Sequence, residues 1–169
     1  MTKRPCRVPL FAFIFASVAA CAHAPTYNVA PPASVTFGNS LEAMTPVFES
    51  SCATFNVRVL DPAALPIAKT SHVQVDCQGL FHAGSDRLAE FVFADDSLAF
   101  VWVLTTAEEE PTILDALLET YGEPTHNTPL FVAFTDAFVA LRRDTPELLY
   151  YGEAVAPVYR SWFDQSADE

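Results

Sequence analysis

The chain has 169 residues, 51% of them hydrophobic and 18% charged, with 14 Phe, 13 Pro and 5 Gly. That length makes about one domain, and the composition excludes a disordered chain, a collagen and a coiled coil. All 21 acids follow residue 21, so the chain from Cys21 onward sets six bases against 21 acids, a net charge of −15; such a surface repels phosphate backbones and anionic lipid heads, which speaks against nucleic-acid binding and against membrane adhesion by charge.

Residues 1–20 read as a secretory signal. Lys3, Arg4 and Arg7 form a positive start, and Val8 to Ala20 is an apolar run broken only by Pro9 and Ser17. The run is shorter than the about 20 apolar residues that span a bilayer. It ends in Val18-Ala19-Ala20-Cys21, which resembles the lipobox of bacterial prolipoproteins. The resemblance implies a diacylglyceryl group on the Cys21 thiol and cleavage just before it. It also implies attachment to the outer membrane, facing the periplasm or the cell surface, because Ala22 and not Asp follows the cysteine. The competing reading is ordinary cleavage after Ala22-His23-Ala24, which would leave Pro25 first in the mature chain, a residue that fixes the backbone at the cut. Residues 22–36 carry three prolines and no charge. With Cys21 they read as a Pro-rich tether, reaching roughly 40 Å at ~3.1 Å per residue.

A single domain is expected over residues 37–163. Asn39 and Glu42 have capping-box spacing, and Leu41, Met44, Val47 and Phe48 follow at helical intervals. Pro46 either kinks this helix or makes Thr45 its N-cap; the helix should end near Cys52. Phe55–Leu60 and His72–Gln78 read as strands, with a loop from Asp61 to Pro66 and a turn region from Gly79 to Asp86. Arg87–Ala94 and Ser97–Leu104 form a hairpin around Asp95-Asp96. A two-residue turn predicts Phe93 opposite Leu98, Phe91 opposite Phe100 and Ala89 opposite Trp102. That register gathers the aromatics on one face, and this face is expected to be the core, with the valine face half-exposed. Trp102→Ala would then cost about 3–5 kcal/mol.

A second helix starts near Glu108–Pro111, carries Ile113, Leu114, Leu117, Leu118 and Tyr121 in one stripe, and ends at Gly122. Strands follow at Leu130–Thr135, Phe138–Arg142 and Leu148–Tyr151, then a short helix over Ala154–Trp162 and a loose acidic tail over 164–169. The order predicts an α+β fold, an antiparallel sheet with helices packed on it. Helix-then-strands occurs twice, at about 40–104 and 108–152, the pattern of two helix-plus-meander units. The stretch Leu117-Leu118-x-x-Tyr121-Gly122-x-Pro124 resembles small periplasmic lipoproteins of the SmpA/OmlA type and secreted β-lactamase-inhibitor proteins. The resemblance implies helix-plus-meander units; those units usually open with two helices, and one is evident here.

Once Cys6 leaves with the signal and Cys21 takes the lipid, Cys52 and Cys77 remain, an even pair in an oxidising compartment and the expected disulfide. The alternative is a metal site from Cys52, His72, Cys77 and His82, whose spacing matches no compact zinc pattern. No nucleophile elbow, zinc-protease helix or phosphate loop occurs, so no catalytic residue and no cofactor are assigned. Ser71, His72 and Asp76 are adjacent only in sequence. Glu108-Glu109-Glu110 fits a helix start and Asp95-Asp96 fits a turn. Arg142 and Arg143, on opposite faces of a strand, fit two surface ion pairs. The expected function is a non-catalytic, lipid-anchored envelope interaction module with a protein partner. The alternative is a small-ligand or enzymatic lipoprotein with a pocket between helix and sheet.

Overall fold

A computed structural model describes residues 27–166. Cys21 and the signal segment lie outside the described residues. Eight strands form one antiparallel sheet. In chain order the elements are α1 (Leu41–Ser51), β1 (Thr54–Leu60), β2 (His72–His82), β3 (Ser85–Ala94), β4 (Ser97–Leu104), α2 (Glu110–Tyr121), β5 (His126–Asn127), β6 (Phe131–Phe134), β7 (Val139–Arg142), β8 (Glu147–Tyr151) and α3 (Ala156–Ser166). The strand order is β1-β2-β3-β4-β8-β7-β6-β5. Each half is therefore a helix followed by a four-stranded meander. The halves meet at the antiparallel β4–β8 pair, so a pseudo-two-fold axis runs through the sheet between those strands. This is an α+β fold with helices packed on an antiparallel sheet.

Helices pack on both faces of the sheet, because its central strands carry apolar residues on both sides. On the first face α1 and α2 bury Met44, Phe48, Ile113 and Leu117 against Phe91, Phe93, Val101, Leu148 and Tyr150. On the second face α3 buries Phe163 against Phe131, Leu149 and Tyr151.

Local chemistry explains most of the element ends. Ser40, and neither Asn39 nor Thr45, caps α1, its Oγ accepting from Ala43 N at 3.2 Å. Pro46 then sits inside the helix. Its missing N–H deprives the Glu42 carbonyl of a donor, but both residues are exposed and water can serve that oxygen. Gly122 ends α2 at φ 78°, a left-handed conformation that glycine adopts without strain. Asp95 and Asp96 both have positive φ (52° and 57°), as a two-residue hairpin turn between right-twisted strands requires.

Four expectations need correction. The hairpin starts in the expected register, Ala94 opposite Ser97 and Phe93 opposite Leu98, but a bulge then shifts it by one residue. Val92 pairs with Phe100, Phe91 with Val101 and Glu90 with Trp102. A one-residue slip turns every later side chain over. Phe91 and Phe93 therefore share the α1–α2 face with Val101 and Val103, while Phe100 and Trp102 join Val92 on the α3 face. Second, β2 runs on through His82, and the turn is only Ala83-Gly84. Third, the acidic tail is not loose at its start, because α3 continues through Asp164 to Ser166 and Asp164 binds His126 at 2.9 Å. Fourth, the Pro-rich segment is not all tether. From Tyr27 to Phe37 it straps the first face, with Val29 only 1% exposed in the core and Tyr27, Val35 and Phe37 packed around it.

The bulge sets a stability contrast. Phe91→Ala, in the main core, should cost about 3–5 kcal/mol, and Trp102→Ala, half-buried on the other face, roughly half of that. Urea denaturation of both variants checks the order; equal losses would contradict the observed register.

Candidate functional site

The second face is only partly covered. The single helix α3 lies over β6–β8, and the loop Leu65–Ile67 lies over the β3–β4 region. Between them runs an open groove of about 310 Å³. Its walls are Phe100 and Trp102 from β4, Tyr159 and Trp162 from α3, and the Leu65–Ile67 loop. The rings support one another edge-on: Phe100 lies 5.8 Å from Trp102 and 5.7 Å from Tyr159. A second hollow of about 500 Å³ lies across the Leu65–Ile67 loop, bordered by Phe37, Lys69, Ser97 and Glu153.

The loop between the hollows is fixed by Asp95. Its carboxylate accepts from the backbone N–H groups of Lys69, Thr70 and Ser71 at 3.0, 2.6 and 3.1 Å and from the Thr70 hydroxyl at 2.8 Å. Those donors, Thr70 first, hold the Asp95 carboxyl down at about 2. Its neighbour Asp96 accepts from Leu41 N, at the start of α1, at 3.1 Å. The two turn aspartates thus fix the groove loop and the first helix from one point.

Arg142 closes one end of the groove. It binds Asp144 at 2.9 Å and Glu147 at 2.7 Å, and its guanidinium lies 5.3 Å from the centre of the Trp102 ring. Burial pushes Glu147 up to about 7 despite Arg142, whose charge is shared with Asp144, and Glu90 pushes in the same direction. Burial likewise holds the Tyr159 hydroxyl protonated, with Glu147 adding to the effect. The groove therefore offers aromatic surface and a neutral hydroxyl, with a cation whose donors are already engaged.

A buried polar relay lies on the opposite face. The Tyr150 hydroxyl donates to the Val29 carbonyl at 2.9 Å, so its oxygen is left to accept from His82 Nε2 at 2.7 Å. That geometry puts a proton on His82 Nε2. Burial, and then the charge of Arg87, lower its pKa to about 4. Arg87 itself has only 4% of its side chain exposed; it binds Glu109 through two N–H groups and also the carbonyls of His82, Ala83 and Leu104.

The residues singled out from sequence are mostly kept apart. Cys52 and Cys77 are joined by a disulfide with Cα atoms 5.3 Å apart, linking the end of α1 to β2. His72 and His82 sit at opposite ends of β2, and the described residues contain no group of metal-ligating side chains. His72 Nδ1 lies 3.3 Å from the Asp61 carbonyl oxygen and Asp76 binds Arg58, so Ser71, His72 and Asp76 form no triad. Glu109 and Glu110 serve Arg87 and Arg143. Arg142 and Arg143 diverge, the latter to Glu110, Asn127 and the Thr128 carbonyl. The groove was not read from sequence. Its one signal was Tyr159, Trp162 and Phe163, whose three- and four-residue spacing puts them on one helical face. Comparisons with family models, with curated proteins and with solved structures give no match.

Two buried groups give opposed pH dependences. His82 binds protons more weakly folded than unfolded, so its contribution is lost as pH falls from about 6.5 to about 4. Glu147 binds them more tightly folded, so its contribution is gained as pH falls from about 7 to about 4.5. In the native chain the two offset each other. His82→Gln should gain stability relative to the native chain on acidification through this window, and Glu147→Gln should lose it. Urea titrations between pH 7 and 4.5 read both slopes; parallel slopes in the two variants would refute the assignment.

Proposed function

We propose that this chain is a lipid-anchored cell-envelope interaction module, non-catalytic, held in the outer membrane through Cys21 and binding an envelope protein partner. The observation that carries the reading is the open aromatic groove on the second face. A groove of about 310 Å³ takes one or two apolar side chains of a partner and leaves the rest of that partner outside. Large rigid aromatics give contact area at low entropic cost, and Trp and Tyr are the residues on which binding energy concentrates. The acidic balance of the chain as a whole favours a partner segment with basic residues flanking an apolar one. A small-ligand enzyme would call for convergent, unsatisfied polar groups, whereas Arg142 at the groove end is engaged by Asp144 and Glu147.

The anchor is tested by lipid labelling. The native chain should incorporate a radiolabelled fatty acid, and Cys21→Ser should abolish the label and leave unprocessed precursor. An unlabelled native chain would leave a secreted protein without an anchor.

The groove has a built-in reporter. Trp102 and Trp162 are the chain's two tryptophans, and both line it. A photo-crosslinker at Val158, exposed on the groove rim, should capture one envelope protein in cells. A peptide from the captured region should shift the tryptophan emission, and Trp162→Ala should weaken binding by roughly tenfold or more. Capture without an emission change would place the interface elsewhere.

A further inference from the structure

The two edges of the sheet are built differently. β5 is two residues long, and Asp164 of α3 holds His126 there. β1 is seven residues long, and no described strand pairs on its outer side. Exposed edges are normally guarded by a proline, an inward lysine, a bulge or a covering loop, because free N–H and C=O groups recruit other strands. β1 has no Pro or Lys, and its register with β2 runs unbroken from Thr54 to Leu60. Phe55, Val57 and Val59 share one face and are 37%, 43% and 81% exposed. Asn56 and Arg58 share the other, with Arg58 bound to Asp76 on β2 at 2.7 Å. In a chain with 21 acids, this strand contains none.

We propose that β1 is a self-pairing edge, to which a second copy of this chain adds antiparallel about Val57, joining two eight-stranded sheets into one. The strand is self-complementary in that register. Val57 faces its own copy, Phe55 faces Val59 of the second copy, and Asn56 faces Arg58 of the second copy. Aromatic against β-branched and amide against guanidinium are favourable cross-strand pairs. The centre is an odd-numbered residue, so odd positions meet odd positions and each face of the sheet continues into the same face of the other copy. Asn56 pairs with Asp76 within the chain, so Arg58 of one copy comes within one strand of Asp76 of the other, and the seam is neutral. Centring on Arg58 instead would set like charges face to face, which is destabilising. A foreign strand needs no such symmetry, and the symmetry is what selects a second copy. The contact is isologous, so it closes at two subunits. The net charge of −15 opposes association through the rest of the surface.

The test uses the full chain as it is expressed. Directly opposed Cβ atoms lie about 4.5–5.5 Å apart, so Val57→Cys should form a disulfide-linked dimer under mild oxidation, seen on a non-reducing gel. Val59→Cys is more exposed but faces Phe55, and it should link roughly tenfold less. Sedimentation of the native chain should give twice the monomer mass. Val57→Lys, which sets two ammonium groups face to face, should give the monomer with an unchanged far-ultraviolet circular dichroism spectrum. A native chain that stays monomeric at high micromolar concentration would overturn the proposal. So would equal linking at the two positions, or linking of Val57→Cys to a different protein.

Discussion

The antiparallel pairing of β4 with β8 is the constraint on which the rest of the molecule depends. Five residue pairs, from Phe100–Tyr151 to Leu104–Glu147, hold two four-stranded meanders in one sheet. The pseudo-two-fold axis through that seam is perpendicular to the sheet, so it carries α1 onto α2 on the same face. Two helices then cover one face, and the repeat supplies none for the other. A third helix outside the repeat, α3, has to cover the second face and reaches only part of it. The groove is what remains, closed on its far side by the Leu65–Ile67 loop.

The halves differ in detail around that common plan. In the first, the end of α1 is bonded to β2 through Cys52 and Cys77. In the second, the end of α2 meets β6 through Tyr121 and Phe134, whose ring centres are 5.7 Å apart. The helix end is thus fastened to the second strand of its meander in both, covalently in one and by aromatic contact in the other. The strap has no counterpart in the repeat. It is gripped by Tyr150 and Tyr121, whose hydroxyls both reach the Val29 carbonyl, at 2.9 and 3.4 Å. Tyr150 sits on β8 opposite Val101, so the strap is fixed to the seam itself.

Much of the element order was legible because local signals are strong where backbone geometry is unusual. Gly122 and the Asp95-Asp96 turn need left-handed conformations, and few residue types supply them. The stripe Ile113–Leu117–Tyr121 has a helical period whatever it packs on. The register of β3 on β4 was not legible. Both strands are apolar on both faces, so no alternation marks a one-residue bulge, and Phe100 and Trp102 changed face without changing the pattern. The strap was hidden for a related reason. Tyr27, Val29, Val35 and Phe37 have no period, since their burial comes from the elements the segment lies across and not from a structure of their own. The groove was hidden because its walls come from three places far apart in the chain: Leu65, Trp102 and Tyr159. The second role of Asp95 was equally invisible, because a turn already explained the residue.

Placing the strap on the first face changes the geometry of the proposed anchor. Tyr27 lies six residues along from Cys21, and six fully extended steps span at most about 21 Å, roughly half the reach read from the whole Pro-rich segment. The proposed anchor would thus hold a domain with a net charge of −15 near the membrane while anionic lipid heads repel that charge. The strap enters on the α1–α2 face, and the groove opens on the other, away from the side on which the chain arrives. Pairing about Val57 keeps that relation. Its two-fold axis is also perpendicular to the sheet, so both straps emerge on one side and both grooves on the other. Two anchors can then insert in the same leaflet without strain. A two-fold lying in the plane of the sheet would have sent one strap away from the membrane, so the edge that carries the self-complementary sequence is also one whose pairing a doubly anchored dimer can accommodate.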